Sequence, residues 1–578
     1  MLVRSVDLLN HLRCRRYSAL ARGERELKNN PTMRLECSTF AEAGQEANGA
    51  NPYASKLFDY DHLRRLFAQT RLGWDNTPKE CPVRFERNFE DLTLVGETDF
   101  TIPFENETFL IRTSLSSASA FLRMNYTFNK RKLSLFDTDG FGIYRPRRQH
   151  VVEGDKTNYY EKLQHVLSRH DDTGRIVYDL AFTEFVLSQS QKEGERRYLL
   201  AMLNPTYRLK MAFDKPQYDE DLFLIFDMTD LVDSLQDKIK IDLYRMKTLL
   251  DLSDESPCPL VKNECLKDQP FECRFTHVCF DHIPKKNSIL AYFSSHLGFR
   301  EGPHKNDPIH DPYELFEQGM VHMLDVPISW LHREKNLMQR YCVENDFVYI
   351  NKKKIRDYMQ KLSWPLCFLD FEAAPRPIPA FEGERPYEQS LFQYSIHIQL
   401  HENEETLLHK EFLGEPEEDA RKRLYEQLMQ DIPPTGSIVV YNQTFEESRL
   451  RALASWNPAW KDQVDQWISR MFDMLKMLRN DQDYFLSKGY SQDEADTYNF
   501  YHPKQSGSYS IKTILKVLTK QSYDRLDIKD GVMAYESYLA LPSMPPKKRA
   551  AARKALLAYC MQDTMSMVSV LAEIRKLL

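Results

Sequence analysis

No excess of either charge marks this sequence: 78 basic and 85 acidic side chains leave a formal net charge of −7 over 578 residues. Global charge therefore does not announce a nucleic-acid partner, which would have to be held by local patches. No apolar run long enough to cross a bilayer stands out, so no membrane partner is expected. Residues 1–13 break their apolar positions with charge too early for a secretory leader. Ten cysteines in so long a chain do not read as a disulfide framework. The expectation is a cytoplasmic protein whose thiols are buried or bind metal. There is no solenoid repeat and no long low-complexity tract. What is present is the material of folded domains. Apolar residues make up 42% and aromatics 12%, and the length implies two or three cores.

The pattern along the chain predicts an α/β multidomain protein. Residues 1–285 mix strands, at 94–102, 108–115 and 198–204, with helices at 176–187 and over about 222–252. Residues 286–356 carry several Gly and Pro among short apolar groups and read as a partly helical connector. A last domain, 357–578, has a clearer order. Strands are expected at 366–371, 391–400 and 407–412, then a helix at 417–429 and a buried strand at 437–441. Helices fill most of the rest, ending with 547–578.

The most informative stretch is Leu366–Glu372. In a strand, Asp370 and Glu372 stand at i and i+2 and share a face. Two carboxylates so placed repel unless a cation joins them, and oxygen ligands suit Mg2+ or Mn2+. A second acidic site follows the 437–441 strand. Asn442 is suited to cap the next helix, and Glu446 then lies in its first turn, at the rim where open α/β sheets gather ligands. Ordinary compensation of the helix dipole is the alternative for Glu446. In the last helix, Tyr559 and Asp563 stand at i and i+4 on one face. Residues 507–512 read as a loop entering a helix, where Ser510 and Lys512 either hold a phosphate or simply cap the turn. Gln393, Ser395 and His397 alternate along a strand face, expected to be solvated, with a nucleotide groove as the alternative, and Asp473 is expected on the surface of a helix, with an extra site acid as the alternative.

Together, Asp370, Glu372, Glu446, Tyr559 and Asp563 resemble the DnaQ-like exonuclease superfamily, in its tyrosine-bearing branch, on a ribonuclease-H-like sheet. Glu446 departs from the Asp usual at that slot. The resemblance implies a two-metal 3′→5′ exonuclease acting on DNA or RNA, with a single-stranded 3′ end as partner. Asp370 would bridge the ions, Glu372 and Asp563 would hold one, Glu446 would serve the other, and Tyr559 would orient the attacking water. Asn442, Ser510 and Lys512 would contact the nucleic acid. Blocks around 381–387, 392–397, 441–446, 507–512 and 559–563 also resemble, in order, a bacterial domain family of unknown function. Two other readings stay open: a silent nucleic-acid scaffold, and a phosphodiesterase for short oligonucleotides.

Cys265, Cys273 and Cys279 cluster, with Cys14 far upstream. Such a set can staple a domain through an iron–sulfur cluster, or through Zn2+ with His277 or His282. The pattern resembles the RecB-like PD-(D/E)xK iron–sulfur nucleases, including the CRISPR adaptation nuclease, and this implies a 4Fe–4S cluster. The resemblance also implies a degraded active site. Ser114 stands where an Asp is expected, Arg145 and Arg147 where Glu and Lys are expected, and Thr183 where Gln is usual. Residues 1–285 are thus expected to be a pseudonuclease that binds nucleic acid. Basic runs at 144–150, 352–354 and 547–549 are expected to be solvated.

Overall fold

The computed structural model describes the chain except residues 15, 18–19, 21–59, 76–77, 79–80, 148–154, 170, 189–194, 252–272, 274, 403 and 405. The chain is mixed α/β and divides into two compact units: residues 1–279 with 376–388, and 280–375 with 389–578.

In the first unit a six-stranded mixed sheet runs in the order Phe100–Phe104, Glu107–Ser117, Glu195–Leu203, Phe223–Asp227, Ile143–Pro146, Phe136–Thr138. A smaller sheet joins Leu2–Val3, Leu92–Thr98 and Val83–Phe89. Helix Asp172–Leu187 lies on Leu92–Thr98. Gly96 permits this, since a Cβ there would stand 3.0 Å from the Thr183 Cα. The helix expected over 222–252 is corrected. Its start, Phe223–Asp227, is a buried strand, followed by helices Thr229–Ser234 and Gln236–Asp251. A short apolar run in a buried strand has no periodicity that separates it from helix.

In the second unit five strands carry the sheet. They are β1 (Leu366–Pro375), β2 (Gln389–Gln399), β3 (Leu408–Leu413), β4 (Ser437–Val440) and β5 (Met471–Asp473). Their order is β3-β2-β1-β4-β5. The first two pairings are antiparallel and the last two parallel. The fifth strand replaces the helical surface expected around Asp473.

Alternation sorts the two faces of β1. Cys367, Leu369, Phe371 and Ala373 enter a core with Leu424 and Leu428 of α1 (Arg421–Asp431) and Leu450 and Leu453 of α2 (Gln443–Trp456). Asp370 and Glu372 therefore share the opposite face. That face is covered by α4 (Gly531–Ala540) and the long α5 (Pro546–Leu577), and α3 (Ile511–Leu518) packs on α5. By length and hydropathy α5 could cross a bilayer, which corrects the expectation of no such run. Half of its apolar window is buried within the protein, as in a core helix.

The same alternation corrects the reading of β2. Gln393, Ser395 and His397 are buried, not solvated. Gln393 donates to the Leu556 carbonyl oxygen at 2.8 Å, and Ser395 and His397 both hydrogen-bond Thr564 of α5. Lys354 is also no solvated charge. It is fully buried and donates to the carbonyl oxygens of Thr497 and Glu494 at 2.7 and 2.9 Å.

Candidate active site

Strand register brings the first two acids to the middle of the sheet. Asp370 pairs with Ser395 and Glu372 with Gln393, and a bulge follows between Glu372 and Ala373. Helix α5 delivers Asp563 across them. One carboxylate oxygen from each of Asp370, Glu372 and Asp563 lies within 4.8 Å of the others. Glu446, in the first turn of α2, stands outside that set but is close enough for its charge to act on Asp370 and Glu372. It is 2% exposed and its Oε2 has no hydrogen-bond partner.

Burial and mutual repulsion disfavour negative charge throughout this cluster. Asp370 is pushed well above the usual carboxylate range by burial, then by Asp563, Glu372 and Glu446. Glu372 is pushed well up by burial and by Asp563, against the pull of Lys512. Burial takes Glu446 up to about 8. Asp563 reaches only about 6, because hydrogen bonding to Tyr523, the Lys512 charge and Tyr559 oppose burial.

Four side chains frame the acids. Tyr523 donates its hydroxyl proton to Asp563 Oδ1 at 2.6 Å. The Cys560 thiol donates to Asp370 Oδ2 at 3.4 Å. Lys512 Nζ donates to the Tyr559 hydroxyl at 3.3 Å and to the Lys529 carbonyl oxygen. Among the described residues no basic nitrogen lies within 4.0 Å of the four carboxylates, so Lys512 borders the cage without filling it. Tyr559, almost fully buried, has its phenol pushed up by burial and by Asp563, Glu372 and Asp370, so it is a proton donor at neutral pH.

An all-oxygen donor set, a buried carboxylate oxygen with no partner and acids that resist ionisation are the conditions a hard divalent cation relieves. The residues present thus fit Mg2+ or Mn2+.

Asn442 departs from its expected role. Its side chain makes no capping hydrogen bond, and its backbone turns left-handed at φ 72. The cap comes from Asp473 at the end of β5, which accepts from the amides of Asn442 and Gln443 at 3.1 Å each. The same carboxylate caps helix Met474–Leu478 through the Leu475 amide at 2.8 Å. Asp473 is 3% exposed, and this double cap sets the turn that carries Glu446. Ser510 caps α3 through the Thr513 amide at 3.3 Å. Sequence reasoning passed over Tyr523 and Cys560. The first stands in no motif, and the second was visible only as the neighbour of Tyr559.

In the first unit the residues aligned with the nuclease pattern hold no acid cage. Ser114 is buried and accepts from the Ser116 amide. Arg145 pairs with Asp227 at 3.0 Å and Arg147 with Asp137 at 2.9 Å. The buried acid nearby is Asp99, which sequence reasoning missed. It accepts from Thr113 N and Oγ1 at 2.6 and 2.8 Å and pairs with Arg64 at 2.8 Å. The Arg112 guanidinium stands 3.9 Å from Asp99 and 3.7 Å from Asp179. Cys14 and Cys273 pack in one cluster with Tyr17 and Phe275, and Cys279 ends the short helix Thr276–Cys279. Cys265 lies outside the described residues.

A family profile described as "Domain of unknown function (DUF2779)" matches residues 367–510, the stretch from β1 through the loop before α3. The chain is also similar to "Uncharacterized protein MG366 homolog" of Mycoplasma pneumoniae (strain ATCC 29342 / M129 / Subtype 1). Identity is 24% over 235 residues, 38% of this chain and 33% of that protein. The match thus spans about a third of that relative's length. No solved structure matches.

Proposed function

We propose that the chain is a metal-dependent 3′→5′ exonuclease that hydrolyses phosphodiester bonds of single-stranded DNA or RNA. On this reading the second unit is a DnaQ-like, ribonuclease-H-like exonuclease. The first is a silent PD-(D/E)xK-like unit that helps hold nucleic acid, with Cys14, Cys265, Cys273 and Cys279 binding a 4Fe–4S cluster or Zn2+. The cytoplasm is the proposed compartment, with no membrane partner.

The observation that carries the reading is the convergence of Asp370, Glu372 and Asp563, from two distant elements, together with the buried Glu446 Oε2 that has no hydrogen-bond partner. Such a cluster is costly to bury without a cation, and structural carboxylates are normally paired. Mg2+ or Mn2+ bound there would neutralise phosphate charge and lower the pKa of water. The protein's own groups supply the rest. Tyr559 offers a hydroxyl proton to orient the attacking water. Lys512 holds that hydroxyl and adds positive charge where the phosphate would sit. Tyr523 keeps Asp563 ionised and aimed. In the first unit, Arg112 already neutralises Asp99 and Asp179, which supports its reading as silent.

The test is end-labelled single-stranded DNA and RNA, beside dinucleotides, with Mn2+. Mononucleotides should leave from the 3′ end, and Asp370→Ala should abolish this. Activity that survives Asp370→Ala would remove the site from the reaction. Activity on dinucleotides alone would restrict the enzyme to short oligonucleotides.

A further inference from the structure

Residues 297–333 of the second unit enclose a cavity of about 230 Å3 that the acid cluster does not share. Strands Phe299–Arg300 and Ile309–His310 pair antiparallel and close a loop over 301–308. Gly298 (φ 71) starts the hairpin. A Cβ there would meet Ile309 Cγ2 at 2.5 Å and the His310 carbonyl oxygen at 2.7 Å, so the approach requires glycine.

The two walls differ in chemistry. One is apolar, with Leu297, Ile309 and Trp330. The indole is braced by His310, whose ring stacks on it at 4.2 Å and 12°. The other wall carries the two guanidinium groups of Arg300 and Arg333, with His332, whose Nε2 lies 3.1 Å from the Arg300 carbonyl oxygen, beside them. Arg300 donates to the carbonyl oxygens of His304 and Asp307 at 3.3 and 3.2 Å, which shapes the loop without cancelling the charge. The half-buried Arg333 guanidinium has no hydrogen-bond or ion-pair partner among the described residues. No carboxylate lines the cavity. Two arginines that form no ion pair among the described residues, around one concavity, favour an anion, and guanidinium geometry favours phosphate. The volume falls below the ~300–1,000 Å3 typical of drug-sized ligand sites. A strand does not fit it, whereas one phosphate with one ring system does, the ring lying on an aromatic and aliphatic wall.

We propose that this cavity is a binding site for a free nucleoside monophosphate, with Arg333 and Arg300 on the phosphate and the Trp330 wall on the base. A nucleoside monophosphate is also the product class of the exonuclease proposed above. That link rests on that reading, whereas the binding does not.

The test is calorimetric titration of the full chain in EDTA, which keeps divalent cations from the acid cluster. Probes are AMP, UMP, adenosine, inorganic phosphate and a 5′-phosphorylated oligonucleotide. AMP or UMP should bind, and adenosine and inorganic phosphate should bind at least tenfold more weakly. Arg333→Ala should weaken AMP at least tenfold, and Arg333→Lys should restore part of the loss. The Arg333 side chain makes no hydrogen bond or ion pair among the described residues, so both variants should keep the parent's circular dichroism and melting curve. Phosphate matching AMP, Arg333→Ala binding like the parent, or no probe binding would each overturn the assignment. Binding of the oligonucleotide with AMP silent would make this a strand-end site and overturn it as well. Strand cleavage is not read in this experiment, so its outcome and that of the nuclease assay are separable.

Discussion

Replacing Glu446 by glutamine keeps the shape of a buried side chain and removes its charge. Burial lifts this carboxyl from its ordinary 4.5 to about 8, so the native protein holds a proton that the unfolded chain releases. The folded pKa lies above the unfolded one, so stability must fall as pH rises from about 4.5 to about 8. A displacement of that size corresponds to roughly 5 kcal/mol once ionisation is complete, and about 3.5 kcal/mol of it develops between pH 5 and pH 8. Glutamine has no such term. In EDTA the Glu446→Gln protein should therefore melt about 7–14 °C above the parent at pH 8 and close to it at pH 5, given roughly 2–4 °C per kcal/mol for a unit of this size. Adding Mg2+ or Mn2+ should reverse the order at pH 8, because the parent gains a ligand for the cation and the variant has lost one. The assay is differential scanning fluorimetry over pH 5–8, with and without Mn2+. Parallel melting curves across pH, or equal stabilisation of both proteins by Mn2+, would refute the argument.

Tyr523→Phe removes the hydroxyl that holds Asp563 Oδ1 at 2.6 Å. Loss of this buried bond should cost about 1–2 kcal/mol, lower turnover about tenfold, and move the acid limb of the pH–rate profile upward, because Asp563 loses the contact that holds it down to about 6. Lys512→Met should shift the same limb upward, since the lysine charge favours ionised Glu372 and Asp563. Its effect should shrink in high salt less than that of a surface lysine. Arg112→Ala should destabilise the first unit by about 1–3 kcal/mol in urea unfolding, because Asp179 would lose the Arg112 guanidinium while Asp99 keeps Arg64 at 2.8 Å. It should leave Mn2+ binding in the second unit unchanged.

The sheet of the second unit was legible because its strands alternate or run apolar, and β1 to β4 fall within a few residues of their expected places. The spacing of Asp370 and Glu372 and that of Tyr559 and Asp563 each define one face of a regular element, and local geometry carries that information. What joins the two pairs is tertiary. Nothing in the sequence states that α5 crosses β1, that Gln393 is tied to α5, or that Tyr523 reaches Asp563. Asp473 was misjudged because the three-residue β5 is too short to show a period, and its capping of the Asn442 turn depends on β4 and β5 lying side by side. Asp99 was missed for a similar reason. Its partners Arg64, Arg112 and Thr113 come from other elements, so its burial has no local signature.

The central claim is that these carboxylates form a cage for cations, and diffraction from crystals soaked in Mn2+ tests it most directly. The account predicts anomalous density about 2 Å from oxygens of Asp370, Glu372 and Asp563, with Glu446 turned toward it. A map without manganese there, with Lys512 Nζ lying among the carboxylates instead, would contradict it.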